Sequence, residues 1–156
     1  ECTVLNNAIV EPHYRVVVAI SVAQAILESD WGRSRFALEA NNYYGIIQTD
    51  PTEPHLKSQN SDVLVKMYGN RCESVADYIA LLNGSSAFKE YRELRIKQFM
   101  NDNVDVVAVA KTLQNYAVDP EYTKKLVAVT LGLFEKYPHI FKSDEIWKYY
   151  RNNKKT

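Results

Sequence analysis

The chain carries no excess of either charge: 19 Lys and Arg residues balance 19 Asp and Glu. Binding nucleic acid needs a basic surface that displaces counterions from phosphates, so nucleic acid is excluded as the main partner. The one locally basic stretch is the C-terminal KYYRNNKKT, read as a solvated tail, with attraction to an anionic polymer as its other reading. No apolar run approaches the roughly 20 residues that span a bilayer. The longest, Val16 to Leu27, reads VVVAISVAQAIL and gives no transmembrane segment. Cysteine is nearly absent. Cys2 and Cys72 allow one disulfide, but a domain of this size does not need a staple, and the expectation is two unpaired thiols. No histidine motif accompanies either, which argues against a thiol nucleophile. His13, His55 and His139 show no ligand spacing of the HExxH kind, so no metal and no cofactor is implied. Internal repeats, low-complexity segments and linkers are also missing.

What is present is ordinary for a globular protein: 156 residues, 46% hydrophobic and 24% charged. These values predict one domain over 1–156 with a real core, and the expected state is a monomer. The chain starts at Glu1 without methionine or a signal sequence, which predicts a mature or trimmed domain with any targeting signal upstream. Periodicity predicts helices near 15–29, 34–40, 74–83, 86–100, 103–116, 120–136 and 143–151, the last running into the basic tail over 143–156. Ser74 and Asp77 read as a capping box, and Asp119-Pro120 as an N-cap followed by a prolyl first position. Residues 47–70 differ: two prolines and few apolar residues lead into VLVKMY, which alternates like a strand. They predict a small loop and β lobe.

The informative string is QAILESDWGRSRFALEANNYYGI, residues 24–46. Val16 to Leu27 is too apolar all round for a surface helix and is expected to be buried. Its polar residues Ser21 and Gln24 fall on one line with Glu28 at 3.6 residues per turn, making a polar seam through a core helix. Gly32 is the expected stop, which puts Glu28 in the last turn. A carboxylate there faces the negative helix end at a cost of about 0.3–1 kcal/mol, and its pKa is expected to rise, more so if Trp31 excludes water. Protonating a leaving glycosidic oxygen requires such an acid. The alternative is a glutamate that simply faces solvent at a helix end.

These residues resemble the glucosaminidase family of bacterial cell-wall hydrolases, glycoside hydrolase family 73, which includes flagellar peptidoglycan hydrolases and Bax-type proteins. The family pattern runs AQA-x-x-ES-G-WG-x-S-x-x-A, then NN-L-F-G-I. Here it stands as Ala23, Gln24, Ala25, Glu28, Ser29, Trp31, Gly32, Ser34 and Ala37, then Asn41, Asn42, Gly45 and Ile46. ESVADY at 73–78 is similar to the family's ES-x-x-DY, and NYAVDPEYTKKL at 115–126 to its YATDP-x-Y-x-x-K. Asp30 stands where glycine is usual, Tyr43 and Tyr44 replace Leu and Phe, and Val118 replaces threonine. Asp30 is a like charge beside Glu28 and is expected to push its pKa further up.

The resemblance implies a mainly α, lysozyme-like α+β fold whose helical lobe and small loop and β lobe flank a substrate groove. It implies Glu28 as proton donor. A glycosidase usually adds a second carboxylate, about 5–5.5 Å away as nucleophile or about 6.5–9.5 Å away as base. Asp50, Glu53, Asp62 and Glu73 are available; Glu73 is explained by a helix N-terminus, and Glu53 lies nearest the family's second acid. An N-acetyl group of the substrate acting as nucleophile would relax that need, so inverting and substrate-assisted retaining routes both stay open. Tyr116 opens the segment that reaches the scissile sugar. Gln24, Trp31, Asn42, Tyr43, Tyr44 and Tyr122 are the expected substrate contacts, with packing as the other reading of the tyrosines and turn-holding that of Asn41 and Asn42.

The expected activity is hydrolysis of the β-1,4 bond after N-acetylglucosamine in peptidoglycan, outside the cytoplasm where that substrate lies. Two alternatives stand beside it. A lytic transglycosylase shares the glutamate and a later G-x-x-Q, as in Gly45 to Gln48, and a catalytically inactive glycan-binding module keeps the groove without turnover.

Overall fold

Apolar side chains on several faces drive Val18–Ser29 into the interior as helix α1, with Ala19, Ile20 and Ala23 buried and only Val18 turned to solvent. Ser21 and Gln24 are buried within the same helix, and Glu28 is half-buried in its last turn. The polar seam therefore exists. The computed structural model describes residues 17–101 and 105–141. Cys2, His13, the expected helix at 143–151 and the basic tail lie outside the described residues.

The remaining elements are α2 (Arg35–Ala40), β1 (His55–Lys57), β2 (Leu64–Lys66), α3 (Arg71–Gly84), α4 (Lys89–Met100), α5 (Val106–Lys111) and α6 (Tyr122–Lys136), with 3-10 turns at Ser86–Phe88 and Gln114–Tyr116. The fold is mainly helical with one small sheet, the lysozyme-like class. Among the described residues no helix is long and apolar enough to cross a membrane. Two compact units divide the described residues, one over 24–81 and the other over 17–23 together with 82–101 and 105–141. The end of α1 thus belongs to the same unit as the 47–70 lobe.

In the first unit the lobe forms as its strand-like alternation predicts. β1 and β2 pair antiparallel, with His55 opposite Lys66, Leu56 opposite Val65 and Lys57 opposite Leu64, while Ile47 bridges Val65. Ser34 caps α2 by accepting from Ala37 N–H at 3.2 Å. Asn41 ends it in the left-handed region, φ 51°, and its amide donates to Tyr68 C=O at 3.0 Å. The start of α3 corrects the expected Ser74/Asp77 box. The helix begins one turn earlier, where Asn70 Oδ1 accepts from Glu73 N–H at 3.1 Å and Glu73 returns to Gly69 N–H at 2.8 Å. Asp77 instead receives Lys66 Nζ at 3.0 Å and the Tyr68 hydroxyl at 2.6 Å, tying β2 to α3. Cys72 is disulfide-bonded, against the expectation of free thiols.

The second unit packs Phe88, Tyr91, Val106, Val109, Leu113, Tyr122, Leu126, Leu133 and Phe134. Arg92 donates to Leu82 C=O at 2.9 Å and Ser85 C=O at 2.6 Å, satisfying carbonyls at the end of α3. The helix expected over 103–116 is shorter: Asp105 caps α5 through Ala108 N–H at 3.0 Å, and the chain then tightens into a separate 3-10 turn. α6 starts at Tyr122 rather than Pro120. Asp119 still accepts from Glu121 N–H at 2.9 Å, but Gln114 closes the helix start, its Oε1 accepting from Thr123 N–H at 3.1 Å and its amide donating to Asp119 C=O at 2.8 Å.

Candidate active site

Glu28 is followed by a turn of unusual backbone. Asp30, Trp31 and Gly32 are all left-handed, with φ of 48°, 59° and 75°. Only glycine enters that region freely; Asp tolerates it, and a bulky residue such as Trp is strained there. Buried Ser29 holds the turn, its hydroxyl donating to Ala25 C=O and accepting from Gly32 N–H at 2.8 Å, while Ser34 N–H reaches Ser29 C=O at 2.9 Å. The result leaves Trp31 59% exposed, three residues beyond the acid. Asp30 turns outward into an ion pair with Arg33 at 2.9 Å. That solvated partner offsets its charge.

The second wall of the acid is backbone. Gly45 is left-handed at φ 65°, and a Cβ built on it would lie 2.9 Å from Glu28 Oε2. The carboxylate occupies the space that any other residue's side chain would need. Asn42 fixes this loop. Its amide donates to Ile46 C=O at 2.9 Å and Lys66 C=O at 3.0 Å, and its oxygen accepts from Ile46 N–H at 3.1 Å and Tyr44 N–H at 3.3 Å. All four hydrogen-bonding positions of the side chain are used. Asn42 therefore holds the turn and has no donor or acceptor left for a saccharide, which corrects its expected substrate contact.

Beneath the loop the tyrosines separate into two roles. Tyr44 is buried, stacked on Tyr78 with centroids 3.9 Å apart and planes 11° from parallel. The Tyr78 hydroxyl donates to Gln24 Oε1, and Gln24 is fully buried. Gln24 and Tyr44 are thus interior supports, not the surface contacts expected of them. Tyr43 is half-exposed; its N–H donates to Ser74 Oγ at 3.1 Å, its ring passes 3.3 Å from where a Gly32 Cβ would sit, and the Arg71 guanidinium lies 5.9 Å from its centroid. Tyr78, Ser74 and Arg71 escaped the sequence reading as site supports, although Tyr78 closes the quoted ES-x-x-DY string.

The lobe's carboxylates are sorted by their partners. Asp50 accepts from Thr52 N–H at 2.9 Å and Thr52 Oγ1 at 2.6 Å, bonds that hold its carboxyl below the usual range. Asp62 pairs with Lys57 at 3.0 Å, and Glu73 caps α3. Glu53, exposed just before β1, keeps its carboxylate out of every ion pair and hydrogen bond among the described residues. Gln48 Oε1 accepts from Asp50 N–H at 3.1 Å. Tyr116 and Tyr122 lie in the second unit, stacked at 6.2 Å; Tyr122 is buried, whereas Tyr116 is half-exposed with Phe88 at 5.9 Å. Packing explains Tyr122. Among the described residues no cluster of His, Cys, Asp and Glu is placed to hold a metal ion.

A family model described as glucosaminidase, mannosyl-glycoprotein endo-beta-N-acetylglucosaminidase, matches residues 8–133. The chain belongs to the glucosaminidase family. As a member it is 31% identical over 136 residues to the exo-glucosaminidase LytG of Bacillus subtilis, covering 80% of this chain and 45% of that protein. The chain spans less than half the length of the curated relatives it matches. Solved structures share the fold. A peptidoglycan hydrolase from Sphingomonas sp. A1 aligns with TM-score 0.65 at 22% identity, covering 91% of each chain. The catalytic domain of the autolysin Auto from Listeria monocytogenes aligns with TM-score 0.61 at 21% identity, covering 90% of this chain and 82% of that one. Where the glucosaminidase pattern has glycine, Asp30 keeps the left-handed turn because aspartate is among the few residues that accept it.

Proposed function

We propose that this glucosaminidase-family chain hydrolyses the β-1,4 bond after N-acetylglucosamine in the glycan strand of peptidoglycan, with Glu28 as general acid. The observation that carries this reading is the placement of Glu28: half-buried in the last turn of a core helix, its Oε2 pressed into the space left by Gly45. A carboxyl in that position, when protonated, gives its proton to the departing oxygen. Trp31 is exposed and offers an aromatic ring to a sugar, and half-exposed Tyr43 lies against the next residue, Gly32. Glu53 is the second carboxylate we favour, because Asp50, Asp62 and Glu73 are each committed elsewhere. It serves as base for water or as electrostatic partner to a substrate N-acetyl nucleophile. Tyr116 is assigned a hydrogen bond to the N-acetyl group. The substrate places the activity outside the cytoplasm.

Digestion of purified sacculi tests the reading. Wild-type protein is expected to release reducing N-acetylglucosamine ends, and Glu28→Gln to release none. Anhydromuramyl ends in the digest would assign a lytic transglycosylase instead, and binding to sacculi without any cleavage would assign an inactive glycan-binding module.

A further inference from the structure

We propose that Gly45 is the positioning residue of Glu28: by lacking a side chain it leaves open the one site that the carboxylate occupies. The inference rests on the reading of Glu28 as the acid and adds what keeps that acid in place.

Two observations carry it. The first is the contact itself. At 2.9 Å from Oε2, a Cβ at position 45 would overlap the carboxylate, so one of the two must move. The second decides which one moves. Tyr44 and Ile46, the residues on either side of Gly45, are both tied to the Asn42 side chain through their N–H groups. Ile46 C=O also accepts from Asn42 and, at 2.9 Å, from Lys66 N–H on β2. Ile46 is buried, and Tyr44 is stacked on Tyr78. The loop is therefore anchored on both flanks and by the sheet, and the atom a Cβ would meet is the far end of the Glu28 side chain, not backbone. Given a side chain at 45, the loop stays and the carboxylate yields.

A general acid is sensitive to that kind of displacement. Proton donation needs the carboxyl within about 2.6–3.2 Å of the leaving oxygen, and a shift of about 1 Å can cost about 100-fold in rate without changing how the rest of the substrate binds. A purely structural glycine behaves differently. Replacing it strains the left-handed backbone and lowers stability, but the molecules that fold keep their full turnover.

The experiment measures melting temperature, kcat, KM and the pH profile of kcat on soluble peptidoglycan fragments for wild type, Glu28→Gln, Gly45→Ala and Gly45→Asn. Asparagine carries the same Cβ but tolerates positive φ, so it guards against loss of folding in the alanine variant. The expected result is a kcat lowered about 100-fold in both Gly45 variants, KM held within about twofold, and a displaced pH profile, with Gly45→Asn melting closer to wild type. Wild-type kcat and pH profile in a folded Gly45 variant, with Glu28→Gln inactive, overturn the positioning role and leave the acid assignment standing. Activity retained by Glu28→Gln overturns the acid assignment itself, and the positioning role with it.

Discussion

Tyr78 supports the site from below, its ring stacked on Tyr44 at 3.9 Å and its hydroxyl donating to the buried Oε1 of Gln24. One side chain thus steadies the loop that carries Gly45 and the helix that carries Glu28. Removing only the hydroxyl, as in Tyr78→Phe, keeps the stack and deletes a buried hydrogen bond. A loss of about 1–3 kcal/mol is expected, because Gln24 has no water to turn to. Urea denaturation measures it, and an unchanged midpoint would show that the bond contributes nothing net.

The two glycines with opposite surroundings make a paired prediction. Gly32 is left-handed at φ 75° and a Cβ there would meet Tyr43 Cε1 at 3.3 Å, so Gly32→Ala is expected to destabilise by about 1–2 kcal/mol. Gly132 lies inside α6 with nothing within 4 Å of a built Cβ. Gly132→Ala is expected to stabilise by about 0.5–1 kcal/mol, since alanine loses less entropy on entering a helix. Thermal melts of both variants decide it. Shifts of the same sign would show that backbone geometry does not govern these positions.

How much of this was legible beforehand follows the range of each signal. The polar seam of α1 could be read because Ser21, Gln24 and Glu28 are linked by helical periodicity alone, and the 55–66 hairpin because its composition breaks from its surroundings. The capping box went to Ser74 and Asp77 because the S-x-x-D spacing is local, whereas the partners that claim these side chains, Tyr43, Lys66 and Tyr68, are 9 to 31 residues away in sequence. Asn42 carries both a turn and a substrate role in the sequence for the same reason: three of its four bonds are local, but one reaches Lys66. Gly45 appeared only as a motif letter. Its contact with Glu28 joins a helix end to a loop, and no spacing rule encodes that.

Arg95 in α4 is an apparent liability. It is 6% exposed, its Nη1 reaches Gln98 Oε1 only at 3.4 Å, and among the described residues Nε has no hydrogen-bond partner. Among the described residues it forms no ion pair, and a buried guanidinium without a counter-charge loses hydration without compensation. Arg95→Met keeps the apolar stem and removes the charge. It is expected to raise stability by about 1–3 kcal/mol, read as a higher denaturation midpoint. A lower midpoint would mean that the charge is compensated.

Stability at high pH follows from two tyrosines held neutral by the fold. Burial pushes Tyr91 up to about 12, with the Arg95 charge opposing. Burial also pushes Tyr68 well above the usual range, reinforced by its hydrogen bond to the Asp77 carboxylate and by that charge. Both folded-state values exceed the unfolded value of about 10. Below pH 10 neither state ionises and these groups add no pH dependence. Above it the unfolded chain loses protons that the folded chain keeps, so unfolding becomes easier as pH rises. For the well-buried Tyr91 the slope is about 1.4 kcal/mol per pH unit until its folded value is reached. Half-exposed Tyr68 adds to the loss, reduced by solvent screening. Denaturation midpoints measured from pH 8 to 11 are expected to stay flat and then fall, and Tyr91→Phe should lessen the fall. A wild-type midpoint that holds through pH 11 would contradict the burial assigned to both rings.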